Sequence, residues 1–97
     1  MSVLARRIIE IRMEKKYISF NLWHNKKLMD FLDTEADFCS QLTNDGTGIA
    51  EASVEVLENA VSKAVELELG TDIVANLKKD IAWAKAHNQE FIQYYCY

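Results

Sequence analysis

The sequence predicts an α+β fold in which a small antiparallel sheet packs against two to four helices. Three observations predict it: polar and apolar residues alternate over 5–23, apolar residues recur at helical spacing over 49–69 and 72–87, and residues 91–97 are rich in strand-forming aromatic side chains. The chain has 97 residues, of which 49% are hydrophobic, and this is the size and composition of one folded domain, residues 1–97. Such a chain buries enough apolar surface to fold without disulfide bonds.

The N-terminal segment, residues 5–23, favours a β-hairpin. Strand-forming residues alternate with polar ones on both sides of Lys15 and Lys16, namely Ile9, Ile11 and Met13 before them and Ile18, Phe20 and Leu22 after them. The turn between the two arms holds neither the Gly nor the Asn that tight hairpin turns prefer. A helix is the alternative, because one helical face would then hold Leu4, Ile8, Ile11 and Lys15.

Residues 25–42 predict one or two short helices. Asn25 stands where the N-cap of the first helix is expected, and Thr34 with Asp37 resembles the capping arrangement of a second helix. The residues that these helices would bury are Leu28, Phe31, Leu32, Phe38 and Leu42. A glycine-containing loop follows, from Thr43 to Gly48.

Residues 49–69 form the clearest predicted helix, because apolar residues recur there at a spacing near 3.6: Ala50, Val54, Leu57, Val61, Ala64 and Val65. Gly70 stands where helices commonly end, and Thr71 is a suitable N-cap for a second helix over 72–87. That helix is expected to bury Ile73, Val74, Leu77, Ile81 and Ala84. Residues 91–97 then predict a strand, with an extension of the helix as the alternative.

Charge is distributed unevenly along the chain. The net charge is −4, yet residues 1–27 carry a net +5, residues 28–70 carry −9 and residues 71–97 are neutral. An asymmetry of this kind informs on partners and solubility rather than on the fold. The acidic middle of the chain is therefore the place to look for a binding surface.

Two groups of carboxylates make up this acidic region. On a helix over 49–69, Glu51, Glu55, Glu58 and Glu66 would lie on one broad side, where like charges at helical spacing cost stability. The second group precedes the helix and comprises Asp30, Asp33, Glu35 and Asp37. If the two groups adjoin, they form a negative patch that attracts a basic surface. The alternative is a solvated face that only keeps the chain soluble.

Trp83 is the candidate apolar anchor of such an interface, because it lies off the apolar stripe of the helix over 72–87. The alternative is that this helix is covered on both sides and Trp83 belongs to the core. The predicted partner-binding residues are therefore Asp30, Asp33, Glu35, Asp37, Glu51, Glu55, Glu58 and Trp83.

The sequence supports no catalytic, metal or cofactor site. The four soft ligands, His24, Cys39, His87 and Cys96, lack the paired spacing of a zinc site. The aspartates of 30–37 lack the glycine and the terminal glutamate of a calcium loop. No apolar run of about 18 residues predicts a membrane span, and no secretory signal is recognised at the N-terminus. Two cysteines are too few for a disulfide scaffold, so a reducing, cytoplasmic location is expected.

These observations predict a non-enzymatic, acidic protein that binds and blocks a basic, nucleic-acid-handling partner protein, in part by mimicking phosphate. Short acidic chains without catalytic motifs include phage-encoded inhibitors of host defence, such as anti-restriction and anti-CRISPR proteins, and also immunity proteins and antitoxins. This is an analogy of general traits and not of matched residues. Direct nucleic-acid binding through Arg6, Arg7 and Arg12 is the third alternative, which the net negative charge disfavours. A homodimer could form through the Trp83 face or the terminal strand.

Overall fold

The computed structural model describes residues 4–7, 9–10 and 12–97. Within these residues it contains three helices, a two-stranded antiparallel sheet and one 3₁₀ turn at Cys39–Gln41, which confirms the α+β class. In chain order the elements are α1 (Lys26–Ala36), β1 (Gly48–Ser53), α2 (Val54–Ser62), α3 (Thr71–Ala86) and β2 (Phe91–Cys96). No helix among the described residues is long and apolar enough to cross a bilayer.

The sheet joins two strands that are distant in the sequence. β1 pairs with β2 in antiparallel register, from Gly48 opposite Cys96 to Ser53 opposite Phe91. Its inner face packs on the core through Ala50, Ala52 and Ile92, which are buried, whereas its outer face carries Ile49, Glu51, Phe91, Gln93 and Tyr95. One face on the core and one in solvent is the usual arrangement of an antiparallel sheet.

The predicted N-terminal hairpin is wrong for the part of segment 5–23 that the structure describes, where no residue belongs to a strand. Ile8 and Ile11, on which the hairpin and helix alternatives partly depended, lie outside the described residues. Ile9 is 90% exposed, whereas Phe20 and Leu22 pack on the core. The period-two pattern therefore did not mark a half-buried strand, and the strand that pairs with β2 is β1 instead.

The predicted helix over 49–69 is wrong at both ends. Residues 48–53 are extended in β1, with Ala50 and Ala52 pointing inward. Ala50 therefore fits both the helical spacing of the predicted stripe and the period of two of a strand. Ser53 begins α2, since its Oγ accepts a hydrogen bond from the backbone N–H of Val56 at 3.1 Å. The helix ends at Ser62, and turns follow up to residue 68.

The remaining helices agree more closely with the sequence patterns. α1 starts after Asn25, although the Asn25 side chain makes no capping hydrogen bond, and it buries Leu28 and Leu32. The predicted second capping arrangement is wrong, because Thr34 lies inside α1 and Asp37 ends it in a left-handed conformation, with φ of 51°.

Helix α3 and strand β2 match the predicted helix over 72–87 and the predicted C-terminal strand to within about one residue. Gly70, predicted to end the preceding helix, is instead the N-cap of α3, and Thr71 is its first helical residue. The core lies between the inner face of the sheet and the three helices. Its fully buried large side chains are Phe38, Leu28, Leu32, Leu57 and Leu77.

Candidate functional site

The acidic helix face predicted from the sequence does not form, because its four glutamates lie on different elements. Glu51 is in β1, Glu55 and Glu58 are exposed on α2, and Glu66 lies in the turns that follow α2. The carboxylates must therefore be placed by tertiary contacts rather than by helical spacing.

Two of the predicted partner-binding carboxylates are neutralised within the chain. Asp30 pairs with Lys26 at 3.1 Å and Glu58 pairs with Lys85 at 3.2 Å. A third acidic residue, Glu68, pairs in the same way with Lys27. All of these pairs are exposed, so each contributes at most about 1 kcal/mol to stability, but each reduces the local negative charge.

Three other predicted residues converge on one cleft. Glu35, Asp37 and Glu51 line an open cleft of about 260 Å³ between the end of α1 and the outer face of the sheet. Its remaining lining residues are Ala36, Gln41, Ala52, Ser53, Val56 and Phe91. We call this the acidic cleft. Phe91, which is 46% exposed, provides an apolar wall.

Gln41 fixes the two sides of the acidic cleft relative to each other. Its Nε2 donates to the backbone oxygen of Glu51 at 3.1 Å and to that of Ala36 at 3.3 Å, and its Oε1 accepts from the backbone N–H of Glu51 at 3.0 Å. The amide side chain therefore occupies the free edge of β1 as a neighbouring strand would. This attachment holds the end of α1, with Asp37, beside Glu51.

The acidic residues of the cleft make no close ion pair in the described part of the chain. No Lys or Arg there forms an ion pair with Glu35, Asp37 or Glu51. The described residues also contain no group of three His, Cys, Asp or Glu side chains close enough to hold a metal ion. The cleft is thus suited to one or more extended cationic side chains, whose charge can spread over separated carboxylates.

The remaining predicted partner-binding residues lie outside the acidic cleft. Asp33 Oδ1 accepts from the backbone N–H of Cys39 at 3.2 Å. Burial and, secondarily, the nearby Asp33 raise the pKa of the Cys39 thiol. Glu55 is exposed and does not line the cleft. Trp83 is 53% exposed on α3 and stacks on His87 at 4.4 Å, and α3 contributes no side chain to the cleft.

A buried polar cluster was missed by the sequence reasoning. The carboxylate of Asp80, which is only 8% exposed, accepts hydrogen bonds from the Tyr17 and Tyr94 hydroxyls, the latter at 2.8 Å. Burial, together with Asp80, raises the pKa values of both phenols. A signal was present, because Asp80 lies between Leu77 and Ala84 at helical spacing, within the apolar stripe.

No family model, curated protein or solved structure that was compared with the chain matches it.

Proposed function

We propose that this chain is a non-enzymatic interaction protein that docks on a basic surface of a partner protein through the acidic cleft. The observation that carries the proposal is that Glu35, Asp37 and Glu51 line one cleft together with Phe91, which is 46% exposed. Among the described residues no cation pairs with these carboxylates. A surface with uncompensated charge next to an exposed aromatic ring has the composition of an interface centre with a polar rim.

Arginine is the side chain that fits the acidic cleft best. Its planar guanidinium pairs with carboxylates through two parallel hydrogen bonds and also stacks on aromatic rings. Glu35, Asp37 and Glu51 offer the acceptors, and Phe91 offers the ring. A lysine ammonium would gain the Coulomb attraction but not the planar pairing.

The partner class follows from this chemistry. Proteins that bind nucleic acids present clustered Arg and Lys side chains to phosphates, so their surfaces are the most basic ones available. A chain that occupies such a surface blocks the nucleic acid from binding there. This is the action of an inhibitor of host defence of the anti-restriction or anti-CRISPR type, and an immunity protein or antitoxin would act on a basic toxin in the same way.

The test compares two variants with the same change in net charge. The cleft variant combines Glu35→Gln, Asp37→Asn and Glu51→Gln. Its affinity for a fluorescein-labelled arginine-rich peptide is measured by fluorescence anisotropy at several salt concentrations. Three exposed charge contacts at about 0.5 kcal/mol each predict roughly tenfold weaker binding. For the unaltered chain, affinity falls as salt is added, because exposed charges are screened.

The matched control variant neutralises the three carboxylates that are already paired within the chain, through Asp30→Asn, Glu58→Gln and Glu68→Gln. It is expected to bind the peptide within about twofold of the unaltered chain. Equal losses in both variants would show that only net charge matters, and the acidic cleft would then not be the docking site.

A second stage asks whether the chain displaces a labelled DNA duplex from a basic DNA-binding protein, and whether the cleft variant fails to do so. The labelled duplex without the DNA-binding protein is also tested, because the exposed side chains of Arg6, Arg7, Lys15 and Lys16 could bind it directly. Direct binding of the duplex, reduced by Arg6→Gln with Arg7→Gln, would replace the docking proposal with nucleic-acid binding.

A further inference from the structure

The outer edge of β2 has no strand beside it among the described residues, where the sheet contains β1 and β2 alone. The backbone N–H of Val54 donates to the oxygen of Glu90 at 2.9 Å, which places residues 90, 92, 94 and 96 in the hydrogen-bonded pairs with β1. Backbone groups alternate in direction along a strand, so those of Phe91, Gln93 and Tyr95 point to the open edge.

The two edges of the sheet are treated differently. On β1 the outward N–H and C=O of Glu51 are both bonded to the Gln41 side chain. On β2 no such cover is present in the part of the chain that the structure describes. The strand Phe91–Cys96 also contains no charge, proline or glycine. It therefore lacks the features by which natural proteins prevent pairing at a strand edge.

We propose that a second copy of this chain pairs with β2 in antiparallel orientation, so that two sheets join into one of four strands. A two-fold axis through the pair of Gln93 residues makes the contact self-complementary, with Phe91 opposite Tyr95 of the second copy. The outward groups of Phe91, Gln93 and Tyr95 then form about six hydrogen bonds between the copies.

The side chains favour a second copy over an unrelated peptide. Phe91 and Tyr95 are 46% and 47% exposed on the outer face, and the two-fold axis pairs each with the other aromatic residue of the second copy. No charged side chain of β2 faces its own copy across the axis.

The same axis keeps the outer faces of both sheets on one side of the dimer. Each copy's acidic cleft is bounded by its own Phe91 on that face, so both clefts open towards the same side. A dimer would therefore present two acidic clefts to one extended basic surface, and this raises affinity through effective concentration. The pairing of β2 does not depend on the docking proposal.

The test measures self-association of the unaltered chain by sedimentation equilibrium, together with hydrogen exchange of individual amides by NMR. We expect a dimer in which the amides of Phe91, Gln93 and Tyr95 exchange slowly, as do those of residues 92 and 94. In a monomer with an open edge, the three outward amides exchange fast while 92 and 94 stay protected.

The variant Gln93→Pro removes an outward N–H that β1 does not use, so it leaves the pairing with β1 in place. It is expected to weaken the dimer roughly tenfold, because two of the hydrogen bonds between copies are lost. Gln93→Ala retains the N–H and is expected to keep the dimer. Sedimentation of the unaltered chain as a monomer overturns the proposal. Slow exchange of the outward amides in such a monomer would assign the edge to the chain's own N-terminal segment.

Discussion

Removing one hydroxyl from the buried polar cluster tests how much Asp80 contributes to stability. Tyr94→Phe deletes the donor that bonds Asp80 Oδ2 at 2.8 Å and leaves the aromatic ring in place. The ring also contacts Phe20 edge-to-face at 5.0 Å, and this contact is unaffected by the change. The substitution therefore isolates one hydrogen bond to a buried carboxylate that keeps its other donor, Tyr17.

The expected loss follows from the burial and charge of the acceptor. A hydrogen bond to a charged group contributes about 1.5–3 kcal/mol, which is more than a bond between neutral groups. For a domain of this length, each kcal/mol lowers the midpoint of thermal unfolding by about 4–8 °C, so the variant is expected to unfold roughly 6–24 °C lower.

The same variant predicts a specific dependence on pH. Burial, followed by the Asp80 charge, raises the pKa of the folded Tyr94 phenol above its ordinary value of 10.0. Below that pH the stabilisation is fully present. Above it the unfolded chain releases the proton while the folded chain retains it, so the free energy of unfolding falls by up to about 1.4 kcal/mol per pH unit. Tyr94→Phe lacks this contribution. The difference in the free energy of unfolding between the variant and the unaltered chain therefore narrows above pH 10.

The assay is urea unfolding followed by circular dichroism at neutral pH and at a series of alkaline pH values. Tyr95→Phe is the matched control, because Tyr95 lies on the outer face of the sheet and its hydroxyl makes no hydrogen bond with any described residue. The control is expected to change stability by less than about 0.5 kcal/mol. If both variants are equally stable, or if the deficit stays constant from neutral to alkaline pH, the assigned role of the Tyr94 hydroxyl is wrong.

Two further substitutions test local features of the fold by the same unfolding assay. Ser53→Ala is expected to cost about 1 kcal/mol, because it removes the cap on the N–H of Val56, and an unchanged stability would contradict that cap. Gly46→Ala is expected to cost about 1–3 kcal/mol, since Gly46 has φ of +77° and an added Cβ would lie 2.8 Å from the ring of Trp23. Gly70→Ala, where nothing lies within 4 Å of the added Cβ, is the control, and equal effects at the two glycines would refute the steric argument.

The sequence predicted the elements whose pattern clearly favours one interpretation. Helix α3 has a long apolar stripe, and the strand was favoured for β2 over an extension of the helix because of its aromatic residues. Both lie where the patterns placed them. The stretch from Gly48 to Val61 fitted two periods. Ala50 and Ala52 are small enough to face the sheet interior, and only pairing with β2, which is distant in sequence, selects the strand.

The acidic cleft was partly predictable from the charge distribution along the chain. The acidic bias of residues 28–70 pointed to Glu35, Asp37 and Glu51, because net charge can be counted along a chain. Gln41 and Phe91 carried no comparable signal, since one acts through the edge of β1 and the other through its position opposite Ser53. The pairing of Glu58 with Lys85 also could not be read from the sequence, because Lys85 comes from another helix.

The two faces of β2 separate stability from binding. Tyr94 points inward to Asp80, whereas Phe91 points outward to the acidic cleft, and alternation along one strand keeps the two sets of contacts apart. A substitution at Tyr94 should therefore lower the free energy of unfolding and leave peptide binding unchanged in the folded protein. A substitution at Glu35 or Asp37 should weaken peptide binding and leave the free energy of unfolding unchanged, because both side chains are exposed and lie outside the core. If the two effects always changed together, binding would have to depend on global folding rather than on the acidic cleft.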